Sequence, residues 1–212
     1  MNRSLGVTAR VAGSSFALLA VAVAMMQRNA AATNALDEQV LRGRALVISH
    51  ACGFCHGGGS DPNAAGWLQG ARDTLQEFRI GPFTTRPRNL TPDNTTGLGR
   101  FSERQIFNAL RFGLRPGETA DVEITSNVPG QGNFPQNPKY LAVPMPWPAF
   151  RHMSDQELRD IAAYLKRGLK PVSHKVQDSE GPPDFWASEY TVAKIGPLPA
   201  VAFPGQNEVA QP

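Results

Sequence analysis

Residues 52–56 read Cys-Gly-Phe-Cys-His, and no other feature of the 212-residue chain constrains its fold and chemistry so tightly. These are its only two cysteines. Two thiols three residues apart, followed at once by an imidazole, form the C-x-x-C-H pattern of covalent haem attachment. The spacing follows from the chemistry. The thiols bond to two vinyl-derived positions on one edge of a porphyrin. That pins the ring so that the next side chain, His56, reaches the iron. The expectation is one haem c, covalently bound through Cys52 and Cys55 and ligated by His56.

Other uses of the motif fit less well. A zinc knuckle needs four ligands. The chain has no second cysteine pair, and His50, His152 and His174 are scattered without ligand spacing. A redox dithiol expects βαβ surroundings, whereas the flanks here read as helical and Gly-rich. A structural disulfide leaves His56 unexplained.

A six-coordinate haem takes Met or His opposite the first His. Beyond residue 35 the candidates among methionines are Met145 and Met153. Met153 precedes Ser154-Asp-Gln-Glu157, a capping box in which Met153 and Leu158 form the hydrophobic staple. Met145 lies in Val-Pro-Met-Pro-Trp-Pro-Ala-Phe (143–150). Three prolines fix φ and remove donors, so this segment is expected to be a stiff extended loop rather than a helix. A stiff loop suits a weak thioether donor. Met145 is the expected second metal ligand, with His152 and His174 as fallback and core packing of Met145 as the plain alternative.

The N-terminus reads as an export signal over 1–35. Arg3 and Arg10 precede the apolar run 16–26 and a small-residue segment ending at Ala32 or Ala35. An uncleaved anchor is the rival, but eleven apolar residues fall short of the ~20 that span a bilayer. Without Arg3, Arg10 and Arg28 the count is 18 Lys+Arg against 18 Asp+Glu. No basic stripe remains for nucleic acid. A periplasmic or otherwise exported bacterial location follows, with membrane association only through an uncleaved N-terminus or a complex.

The rest is expected to be mainly α, with short helices and long irregular loops. A haem domain would span 36–170, followed by a Pro-rich tail over 171–212. Helices are expected at 37–51, from the Ser102 cap to Phe112 with Gly113 as stop, and at 155–168. Gly43 weakens the first helix unless another helix crosses closely there, and Tyr164 is placed to meet it. Residues 57–100 read as loop, and the sequons at Asn89 and Asn94 as exposed polar loop. The segment 114–144 is expected to cover part of the haem edge. The tail is read as draped or disordered, with Phe185, Trp186 and Tyr190 packing on something. Phe54, Trp67 and Trp147 are candidates to wall the pocket, or are ordinary packing. Arg79, Arg86 and Arg88 are candidates to pair with propionates, or a solvated face.

Taken in order, these pieces resemble the class I cytochrome c superfamily. They are most similar to the cytochrome domains of bacterial membrane-bound alcohol and gluconate dehydrogenases. The resemblance rests on Gly43 to Cys52, Cys52–Gly57, Asn89-Leu-Thr-Pro-Asp93 with Gly97 and Phe101-Ser102, and Met145-Pro146 through Met153-Ser-Asp155 to Ala163-Tyr-Leu165. It covers roughly 40–175. It implies a cytochrome c-like fold, Met145 as axial ligand, crossing first and last helices, and single-electron transfer to redox protein partners, not catalysis by this chain. Those dehydrogenase subunits carry three such motifs where this chain has one, and 114–145 is longer than the resemblance expects. Two other functions compete: the electron-accepting haem subunit of a dehydrogenase complex, and a sensor or peroxidase-like haem whose sixth site is open.

Overall fold

The computed structural model describes residues 38–72 and 76–198, together with 21, 25–27, 33, 207 and 209. The chain forms two units, Met1–Gln39 and Val40–Pro212. The expected export signal lies almost wholly outside the described residues. Among the described residues, no helix is long and apolar enough to cross a membrane.

The second unit is mostly helical with long loops and one small hairpin. Helix α1 covers 38–49 and α2 Cys52–His56. Strands β1 (Phe78–Ile80) and β2 (Phe83–Thr85) pair antiparallel with Ile80 opposite Phe83. Helices α3 (Glu103–Phe112), α4 (Trp147–Phe150), α5 (Asp155–Arg167) and α6 (Val192–Ile195) follow. The hairpin falls inside the expected loop. A two-residue Gly81-Pro82 turn with positive φ at Gly81 is a hairpin turn, and three-residue strands leave little period to read.

Both predicted capping boxes form. The Ser102 and Ser154 side chains accept from the N3 backbone N–H groups of Gln105 and Glu157, whose side chains accept from the cap N–H in return. Each is worth about 1 kcal/mol. Helix α3 ends where expected, at Gly113 with φ 70.

The first core gathers Val47 of α1, Ile106 and Leu110 of α3, Phe150, and Leu158, Ile161, Ala162 and Leu165 of α5. Gly43 sits at the crossing of α1 and α5. A Cβ there would lie 1.9 Å from the Asp160 carbonyl oxygen and 2.8 Å from Tyr164 Cβ. The glycine costs helix propensity and returns close contact between the two backbones. Beside it, Arg42 Nε donates to the buried Asp160 carboxylate at 2.7 Å.

A second core gathers Phe112, Leu114, Ile124, Phe134, Tyr140, Trp147, Trp186 and Tyr190. The expected haem-edge loop and the tail thus contribute buried aromatics to one cluster. The tail is tied down further. Thr84 and Glu180 exchange backbone hydrogen bonds, and buried Arg86 donates to Glu77, Glu180 and the Asp178 carbonyl. Residues 183–192 pack, as their aromatics imply.

One expectation fails in part. Residues 147–150 form a single α-turn, although the segment is Pro-rich. Pro148 falls in the first turn, where a backbone N–H has no helical partner to lose. Met145 itself lies in a tight turn, its N–H donating to Ala142 O and its carbonyl accepting from Trp147 N.

Candidate functional site

Cys52, Cys55 and His56 share one helical turn. Ala51 enters it with φ 57, in the left-handed region that alanine rarely adopts. This kink ends α1 and re-aims the chain. Both cysteines are free thiols. Burial, with a smaller contribution from Cys55, pushes the Cys52 thiol up to about 11.

His56 is held by its backbone and by its ring. Its carbonyl accepts from Gly70 N at 2.8 Å, and the next carbonyl, Gly57, accepts from Leu68 N at 2.9 Å. Segment 68–71 bonds in turn to 87–90, through Leu90 N to Leu68 O and Ala71 N to Pro87 O. That lattice brings the Arg88 carbonyl to His56 Nδ1, at 2.7 Å. A carbonyl only accepts, so Nδ1 carries the proton and Nε2 keeps a lone pair. Burial holds the imidazole pKa below its ordinary value, opposed by the Arg88 carbonyl. The result is a neutral imidazole of fixed tautomer with one free donor nitrogen.

Trp67 backs the motif. A Cβ on Gly53 would fall 2.3 Å from the Trp67 ring and from the Gly59 carbonyl oxygen, so only glycine fits at this position. The Trp67 Nε1–H donates to Tyr164 Oη at 3.0 Å, which couples the motif helix to α5. Met145, Cys52 and Met153 all pack against the first core. Half-buried Leu90, Leu98 and Phe107 join them there.

The other candidates separate. Phe54 is 63% exposed. Trp147 belongs to the second core, stacked on Tyr140 at 5.8 Å. His174 Nε2 bonds the Ala71 carbonyl, and His152 is exposed. Arg79 pairs with Glu77, Arg86 with Glu77 and Glu180, and Arg88 with Gln177, Ser179 and Asp178.

Asn89 corrects a second expectation. It is 1% exposed, not part of a solvated loop. Its Oδ1 accepts from Thr91 N and Oγ1, and its Nδ2 donates to Thr96 Oγ1 and the Val172 carbonyl. This amide pins the loop next to Arg88, whose carbonyl orients His56. The Asn-x-Thr pair inside the Asn-Leu-Thr-Pro-Asp run was the available signal. Asn89→Ala strips four partners at once and is expected to destabilise the fold by about 2–3 kcal/mol. Urea unfolding midpoints check it, and an unchanged midpoint contradicts the role. Asp93 closes the same loop, with its carboxyl held below the usual range by the Thr96 N–H, then the Thr96 hydroxyl and the Thr95 N–H. Its stabilisation is present above the ordinary carboxylate range near pH 4 and lost as pH falls through the lower folded value. Asp93→Asn should therefore flatten part of the acid limb of stability against pH.

The donor set fits a c-type haem: two thiols at attachment spacing, an imidazole whose Nε2 keeps its lone pair, and the Met145 thioether packed against the same core cluster as Cys52.

Comparison with known proteins agrees with this chemistry. No protein-family model matches the chain. It is 29% identical over 146 residues to the gluconate 2-dehydrogenase cytochrome c subunit of Pantoea cypripedii, covering 69% of this chain and 27% of that one. It is 27% identical over 133 residues to the fructose dehydrogenase cytochrome subunit of Gluconobacter japonicus, covering 63% and 22%. It is 27% identical over 158 residues to the cytochrome c subunit of the quinone alcohol dehydrogenase of Gluconobacter oxydans, covering 73% and 27%. The chain is thus similar to cytochrome subunits of sugar-acid, sugar and alcohol dehydrogenases, as its motifs led one to expect. It spans about a quarter of the length of these curated relatives.

Proposed function

We propose that this chain is a single-haem c-type electron carrier serving a dehydrogenase. Cys52 and Cys55 would hold the ring by thioether bonds, and His56 Nε2 and Met145 Sδ would hold the iron. Bound there, the haem provides a one-electron couple whose potential is raised by thioether ligation and a dry surround. The chain's own residues do the rest. Arg88 O fixes the His56 tautomer, Trp67 and Tyr164 fix the motif against α5, and the first core keeps water from the ring. The iron makes and breaks no substrate bond in this reading, so the chain passes electrons rather than catalysing.

The observation that carries the proposal is the His56 Nδ1 to Arg88 O hydrogen bond on the turn that bears both free thiols. The printed names of the relatives support a dehydrogenase as the electron source. Export of a haem domain over 36–170 through a signal at 1–35, to the periplasm, completes the reading. Within the tail, residues 176–195 then act as a brace on that domain.

The test is haem retention. Co-expressed with cytochrome maturation machinery, the full chain should carry one haem that stays attached through denaturing electrophoresis. Cys52→Ser with Cys55→Ser should lose all denaturation-resistant haem. Retention of the stain in that double variant, or none in the wild type, refutes covalent attachment at this site.

A further inference from the structure

The carbonyl that orients His56 belongs to the peptide joining Arg88 to Asn89. Gly70 lies against that peptide, and Val176 of the tail closes on the same point. A Cβ built on Gly70 would stand 2.8 Å from Asn89 N, 3.0 Å from the Arg88 carbonyl carbon and 2.5 Å from Val176 Cγ2. Val176 is buried. Gly70 N itself donates to the His56 carbonyl. The tail thus packs where the His56 backbone and the Arg88 carbonyl are both held.

The Arg88 side chain is fastened to the same stretch. Its Nη1 donates to Gln177 O at 3.1 Å and its Nη2 to Ser179 Oγ at 2.9 Å. Ser179 Oγ shares a further hydrogen bond with Thr85 Oγ1 at 2.9 Å. Asp178 stands 3.7 Å from Arg88 Nη1, and both groups are exposed, so this ion pair adds little. The stretch is anchored at both ends. His174 Nε2 donates to Ala71 O at 2.9 Å, and Thr84 and Glu180 exchange backbone hydrogen bonds.

We infer that residues 176–179 set the hydrogen bond between His56 and the Arg88 carbonyl, and through it the reduction potential, with Val176 and Ser179 as positioning residues. The inference rests on the haem reading above. An imidazole that gives its Nδ1 proton to a well-held acceptor is a stronger donor through Nε2. A stronger donor favours ferric iron and lowers the potential, and hydrogen bonding around the ligands is one of the levers a protein has on it. A tail that loosens its hold on Arg88 weakens the bond and raises the potential.

The test uses the full-length haem-loaded protein with Val176→Ala and Ser179→Ala, neither of which changes charge. Each should raise the midpoint potential, move the His56 Nδ1–H proton resonance of the ferrous state upfield and speed its exchange with solvent. Ser179→Thr keeps the hydroxyl and should restore all three to wild-type values. Trp186→Leu is the control, since Trp186 lies in the tail but in the second core. It should lower Tm at least as far as Ser179→Ala while the potential and the resonance stay in place. If Val176→Ala and Ser179→Ala leave both in place, or Trp186→Leu moves them equally, the tail has no specific hold on His56 and the inference is overturned. Should Val176→Ala fail to fold, the Ser179 pair decides alone. A wild type that carries no haem refutes the haem reading and this inference with it, whereas a haem protein with unmoved potential and resonance refutes only the inference.

Discussion

Met145→Ala is expected to lower the reduction potential of the haem-loaded protein, on the order of a few tenths of a volt within the ~0.8 V that axial ligands command. It should also abolish the weak sulfur-to-iron charge-transfer band of the ferric state and let the ferrous state bind carbon monoxide. Thioether ligation favours the ferrous form, so its loss lowers the potential. Met153→Ala is the matched control. Met153 packs on the same core and sits at the staple position beside the Ser154 cap. Its truncation should cost about 2 kcal/mol or less of stability at a half-buried site and leave the spectrum alone. If the wild type already binds carbon monoxide and lacks the band, the sixth site is open and the sensor reading replaces the carrier. If Met153→Ala and not Met145→Ala changes the spectrum, the two assignments must be exchanged.

Gly43→Val should be the most damaging single substitution in the helical core. Replacing glycine inside a helix normally gains up to about 1 kcal/mol from propensity, although valine gains less because it is β-branched. Here the added Cβ would stand 1.9 Å from the Asp160 carbonyl oxygen, a backbone atom that no rotamer change can move. Helices α1 and α5 must then separate, loosening Val47 from Leu158 and Ile161 and breaking the Arg42–Asp160 pair. The expected loss is about 3 kcal/mol or more, a fall in Tm on the order of 10 °C for a chain of this size. Gly117→Ala supplies the contrast, since a Cβ there meets only the Phe101 ring at 3.7 Å. Equal melting temperatures for Gly43→Val and the wild type would show that the crossing tolerates a side chain.

These two experiments probe different levels of the same design. The haem reading stands on five consecutive residues, while their orientation depends on residues far along the chain. His56 takes its tautomer from the Arg88 carbonyl, which is placed by Asn89, which is anchored to Val172.

Local sequence determined whatever depends on neighbours a few residues apart. The boxes at Ser102 and Ser154 and the stop at Gly113 arise from interactions within four residues, so they could be read directly. Gly43 was legible too, because a glycine in a helix needs a reason and Tyr164 supplied one at the right spacing. Tertiary structure alone decided the rest. The Thr91 and Thr96 contacts of Asn89 are local and left a trace in the Asn-x-Thr pair, but its burial depends on Val172, which only the folded chain brings near. In the tail, proline erases periodicity, so its aromatics pointed to packing over 183–192 without saying against what; Val176, Trp186 and Tyr190 are buried. Apolar side chains gain stability by leaving water whether or not the backbone beneath them is regular. A second core drawn largely from loops therefore carries little periodic signal, and it becomes visible only when Phe83, residues 112–147 and residues 186–190 are brought together in space.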